Sequence, residues 1–259
     1  MNLEIWKHSF TADRVPPWPC PRCHHAALAL ERRSLFSDLT TGSKRDRRHE
    51  DWEPDWEKGR FSAIFRCSRR DCSEVVAVCG LTSVEPEPSS EDGDELLTTV
   101  YYPRYFEPTP DMFPIAHECP VEIQIDVRSA FALFWCDPTS CVGRIRSTLE
   151  SMLNHLKVKR FRKDKKTMER RPLDLHARIE IFAKSRKFAG LRSTLLAVKW
   201  LGNAASHATT VDTDVALAAL ELLEHALNEV FAGHTARREK LEKKILAAKG
   251  PPHLARKRN

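Results

Sequence analysis

Two short-spaced cysteine pairs, Cys20-x2-Cys23 and Cys67-x4-Cys72, constrain this 259-residue chain more than anything else in it. Each pair fits on one tight turn, and two such turns brought together surround one point with four soft ligands, the donor set of a structural zinc. Trp18-Pro19-Cys20-Pro21-Arg22-Cys23 opens the unit, and residues 61–66 and 75–79 read as short strands flanking the second pair. Four thiolates leave no open coordination position, so such a metal is scaffolding and activates no water. The plainer reading keeps the same cysteines as buried thiols, with His24, His25 and Cys79 as substitute ligands nearby. Cys119, Cys136 and Cys141 read as ordinary core or interface residues. Between the pairs, residues 37–58 are polar and charged around Trp52 and Trp56, which suits a long excursion better than core.

Composition shifts once along the chain. The first third is rich in Cys, Trp, Pro and charge, whereas residues 121–231 are dense in Leu, Ala and Val at helical spacing. Residues 85–95 carry six carboxylates among prolines and serines, too little apolar surface to repay ordering, so a mobile acidic linker is expected there. The domain seam is placed after it, within 96–120. Asp137-Pro138 sets a cap and a fixed dihedral, dividing residues 121–136 and 138–155 into two helices. Further helices are expected over 173–185, 191–205 and from Asp212 to a C-terminal cap at Gly233, with a charged helix over 237–249. The fold class that follows is α+β, a small four-cysteine zinc ribbon with short strands ahead of an all-helical bundle. Its boundaries are 1–84 for the ribbon, 85–120 for linker and connector, 121–233 for the bundle and 234–259 for a basic tail.

No leader-like or membrane-length apolar run is present, so a cytoplasmic protein without a membrane partner is expected. The net charge of +6 is modest, but it is unevenly placed. Nine cations fall within residues 157–171, and Arg160, Arg162, Lys163, Lys165 and Lys166 there, interleaved with Phe161, are candidates for tracking the phosphates of a nucleic acid. A solvated linker is the blander alternative. No Gly-rich phosphate loop of the G-x4-G-K-[ST] kind occurs, which disfavours nucleotide hydrolysis. In Lys199-Trp200-Leu201-Gly202-Asn203-Ala204-Ala205-Ser206-His207, Asn203 and His207 stand one helical turn apart while the small residues leave room for another helix. Taken alone, that pair also suits simple packing and capping at a helix end.

The order Trp-Pro-Cys-Pro-x-Cys, a second cysteine pair, Tyr102-Pro103, a helical region, Gly-Asn-x3-His and an Asp-led apolar helix resembles the bacterial domain-of-unknown-function 4145 family. That family is similar to HEPN domains. The resemblance implies a HEPN-like bundle that forms homodimers and serves phage-defence or toxin systems, with RNA or a protein of such a system as partner. Active HEPN members cut RNA without metal through an Arg, a polar residue and a His. Asn203 and His207 match the last two, Gly202 stands at the Arg position, and Lys199 is the nearest upstream cation. The resemblance therefore implies a zinc-stabilised binding and dimerisation module, with a ribonuclease using His207, Asn203 and Lys199 as the alternative.

Overall fold

The computed structural model describes residues 1–7, 9–86, 97–164, 168–207 and 210–248, with the backbone alone described at 206–207 and 234–239. A short helix, α1 (Glu4–Lys7), precedes strands β1 (Leu28–Leu30) and β2 (Phe36–Leu39) and helix α2 (Thr41–Asp46). Three long strands follow, β3 (Lys58–Cys67), β4 (Val75–Pro86) and β5 (Leu97–Glu107). They form an antiparallel sheet in the order β1-β3-β4-β5, and β2 pairs with the other end of the same edge of β3. Phe61, Ala63, Phe65 and Cys67 alternate inward along β3, as a sheet with one solvated face requires.

The expected ribbon of short strands is thus a five-stranded sheet. Residues 97–107, read from the sequence as connector, are strand β5, paired with β4 over most of its length. The pairing slips at Cys79/Gly80, where a Cβ on Gly80 would lie 2.1 Å from the Tyr102 carbonyl oxygen. Only glycine allows that approach. Most of the acidic stretch falls on residues 87–96, outside the described residues. The 37–58 excursion holds β2, α2 and a 3-10 turn at Pro54–Trp56.

Helices α3 (Val121–Cys136) and α4 (Pro138–His155) break where the Asp-Pro pair predicts, with Asp137 Oδ1 accepting the Ser140 N–H at 3.0 Å. A hairpin of β6 (Phe161–Lys163) and β7 (Arg170–Pro172) leads to α5 (Leu175–Ala183), capped by Asp174. Helix α6 (Arg192–His207) and α7 (Thr213–Leu227) follow, α7 capped by Asp212 and closed through a π turn at left-handed Gly233. The last helix, α8 (His234–Ala248), starts before the expected 237–249. Among the described residues, no helix is long and apolar enough to cross a membrane.

Sheet and helices share one continuous core. Trp135 near the end of α3 is its hinge-pin, with ring centroids 4.5 Å from Phe106 of β5, 5.8 Å from Trp18 and 6.0 Å from Trp6. Arg104 of β5 adds a polar tie, donating to the Cys136 carbonyl at 2.5 Å.

Candidate functional site

The cysteine pairs meet at one end of the sheet. Two backbone turns build the site. In the first, Cys20 N–H donates to the Ala26 carbonyl and the Cys20 carbonyl accepts from His24, which takes a left-handed φ of 55°. In the second, Cys67 N–H donates to Glu74, while Cys72 and Ser73 N–H groups both return to Arg69, and Ser73 has a φ of 48°. Register brings the turns together, because Cys67 pairs with Leu28 only a few residues after Cys23. Arg69 holds Asp71 through two contacts of 2.7 and 2.5 Å and so stiffens the second turn.

The sulfurs of Cys20, Cys23, Cys67 and Cys72 all lie within 4.8 Å of one another, at 3.8 Å for Cys20 to Cys72 and 3.7 Å for Cys23 to Cys67. A tetrahedron of sulfurs about 2.3 Å from a central zinc has edges of about 3.8 Å, so the four ligands already stand at metal-site spacing. No disulfide joins any of the eight cysteines. Cys20 and Cys67 are buried while Cys23 and Cys72 reach the surface, an arrangement compatible with metal entry from one side. The Cys23 thiol is drawn down to about 7, first by the backbone N–H of His25, whereas burial pushes Cys67 up to about 12 and raises Cys20. The substitute ligands fall elsewhere: His24 faces Asp111 at 3.9 Å, and Cys79 is exposed on β4. Cys119 and Cys141 are buried core thiols, raised by burial to about 11 and about 12.

Residues 157–171, expected as a loop, carry the β6–β7 hairpin, with Arg162 opposite Arg171 and Lys163 opposite Arg170. Lys159, Arg160, Phe161, Arg162, Lys163 and Arg170 line one shallow concavity. Phe161 organises it, with the Arg170 guanidinium 4.7 Å and the Arg160 guanidinium 6.0 Å from its ring centroid. Arg171 is offset by Asp164 at 3.4 Å. Lys165 and Lys166 lie outside the described residues.

On α6, Gly202 is buried and a Cβ there would sit 2.8 Å from the Cβ and Cδ of Arg146 on α4. The small residue therefore admits an arginine stem from the neighbouring helix. Lys199 places its ammonium 3.8 Å from the Trp200 ring centroid, and Asn203 is half-buried one turn on. The His207 backbone ends α6, and its side chain lies outside the described residues. Sequence reasoning missed Arg146 and Arg178, the latter buried on α5 with Nη2 donating to Asn154 Oδ1 at 2.8 Å. A usable signal existed, since Arg178 interrupts the apolar spacing of Leu175, Ile179 and Phe182.

Residues 128–249 match the family model of the domain of unknown function DUF4145, and residues 8–109 match that of the domain of unknown function DUF8608. No curated protein and no solved structure matches the chain.

Proposed function

We propose, from the premise that residues 128–249 are a DUF4145 domain, that the chain is a zinc-stabilised, HEPN-like module that dimerises and binds nucleic acid through its β6–β7 hairpin. The thiol spacing supports zinc as the resident metal, held by Cys20, Cys23, Cys67 and Cys72. The observation that carries the nucleic-acid reading is the hairpin itself, an ordered cationic concavity whose Arg162, Lys163 and Arg170 have no carboxylate within ion-pair distance among the described residues. A merely solvated linker needs no such organisation. Setting in a phage-defence or toxin-type system follows from the HEPN resemblance.

The test is anisotropy of a labelled single-stranded RNA at several salt concentrations. Each phosphate neutralised contributes about 0.7 to the log–log salt slope for single strands, so a triple Gln variant at Arg162, Lys163 and Arg170 should flatten it by about 2. An unchanged slope in a folded variant would sink the hairpin assignment.

A metal-independent ribonuclease using His207 is the second reading, and Lys199 favours it, because its ammonium lies on α6 one turn before Asn203, 3.8 Å from the Trp200 ring centroid. On that reading the protein cleaves single-stranded RNA in chelator and leaves 2′,3′-cyclic phosphate ends. His207→Ala should then lose about a hundred- to ten-thousand-fold in turnover while keeping RNA affinity. Wild-type protein without cleavage, or cleavage that survives His207→Ala, removes this reading.

A further inference from the structure

Helix α5 buries four side chains at core spacing, Leu175, Arg178, Ile179 and Phe182, and one of the four is an arginine. Arg178 keeps only 6% of its surface exposed. Taking a guanidinium out of water is costly unless opposite charge and hydrogen bonds replace the lost hydration. Here the replacement is incomplete. Nη2 donates to neutral Asn154, Nε is buried with no partner, and among the described residues no carboxylate lies within ion-pair distance. Glu150 acts on Arg178 only through its field, and its carboxylate lies 3.8 Å from Arg146, whose own Nε is also buried and unpartnered.

Arg160 adds a further positive charge, its backbone held beside the start of α5 by the Leu173 N–H, which donates to the Arg160 carbonyl at 2.8 Å just before the Asp174 cap. Burial first, and then the field of Arg160, lower the Arg178 pKa from its usual value. Cations therefore outnumber carboxylates where α4, α5 and the chain entering β6 converge, and both Asn154 and Arg160 are exposed, so the cluster opens to solvent. A leucine or methionine at 178 would complete the apolar stripe without the desolvation cost. The arginine is explained if an anion completes its coordination.

We propose that Arg178 and Arg160, with Asn154 fixing the Arg178 plane, form a site for a phosphate-type oxyanion between α4, α5 and the start of β6. Arg160 immediately precedes Phe161, so a phosphodiester held here continues directly onto the basic hairpin. The site deepens the nucleic-acid reading in naming the group bound. Its own existence rests on the arginine cluster and not on the hairpin.

The experiment uses the full chain and inorganic phosphate as probe, reading thermal stability against sodium chloride of matched ionic strength. Wild type should gain a saturable rise in Tm with phosphate. Arg178→Met should weaken phosphate by about tenfold or more, since a charge-assisted hydrogen bond is lost, and should unfold no earlier than wild type in phosphate-free buffer. No phosphate-specific rise in wild type overturns the proposal, as does an equal rise in Arg178→Met. Should that variant fail to fold, exposed Arg160→Gln serves instead, and an undiminished phosphate response there is equally fatal. Displacement of a short labelled oligouridine by phosphate identifies a nucleic-acid phosphodiester as the source, and independent binding identifies free phosphate, with the site standing in either case. RNA binding that ignores the hairpin substitutions overturns the functional reading while leaving the phosphate result untouched.

Discussion

Cys23→Ser and Cys72→Ser proteins should carry near-zero zinc by metal analysis, against one zinc per wild-type chain, and should lose the cooperative unfolding of the sheet. The expected loss is large. Structural zinc in small sites binds with about 10–16 kcal/mol at neutral pH, comparable to the roughly 5–15 kcal/mol that separates an ordinary folded domain from its unfolded state. Serine oxygen is a poor replacement because zinc in such sites needs a deprotonated soft ligand. The damage should not stop at the turns that hold the cysteines. Cys20 lies two residues from Trp18, which packs edge-on against Trp135 of α3, so release of the first turn loosens the sheet-to-helix contact as well. Near-UV circular dichroism should report that change. Equal, near-zero zinc in wild type and both variants would remove the metal from the account, and full zinc in the variants would remove these cysteines from it.

Trp135→Ala should cost about 3–5 kcal/mol, the range for deleting a large buried aromatic side chain. The site cannot easily collapse to fill the space, because the surrounding rings of Trp6, Trp18, Phe106 and Phe134 come from several separate segments and are held by their own backbones. Trp135→Phe should cost much less. It keeps most of the ring contact and removes an indole N–H that is buried with no hydrogen-bond partner. Denaturant unfolding of the two variants distinguishes a packing role from a polar one. Equal losses, or a loss below about 1 kcal/mol for Trp135→Ala, would show that sheet and helices hold together without it.

Local chemistry was legible in the sequence where a single residue decides a local structure. Asp137-Pro138 divides α3 from α4, Asp212 caps α7 and Gly233 closes it with a φ of 61°. The four cysteines likewise cluster as their spacing predicts. Strand β5 was harder to see because Pro103 falls mid-strand, a position that normally argues against a strand. It is tolerated at the bulge opposite Cys79 and Gly80, where the ladder is already interrupted. The hairpin of β6 and β7 was hidden for a different reason. Every residue of both strands is exposed and most are basic, so no apolar alternation marks them. Arg178 was passed over because a cation is ordinarily read as facing water, although it stands at core spacing with Leu175, Ile179 and Phe182, and the packing of α4 against α5 buries it.

Helix α4 begins three residues after Trp135 and has Asn154 in its final turn. Its 18 residues make a rod of about 27 Å, with the cysteine-bearing sheet at one end and the arginine cluster and basic hairpin at the other. A rod of that length acts as a lever. A tilt of roughly 5° about the Trp135 end carries the far end through roughly 2 Å, close to the difference between a hydrogen bond made and one broken. Whatever fixes the Trp135 end should therefore also steady the aim of Arg178 and the hairpin at the opposite pole.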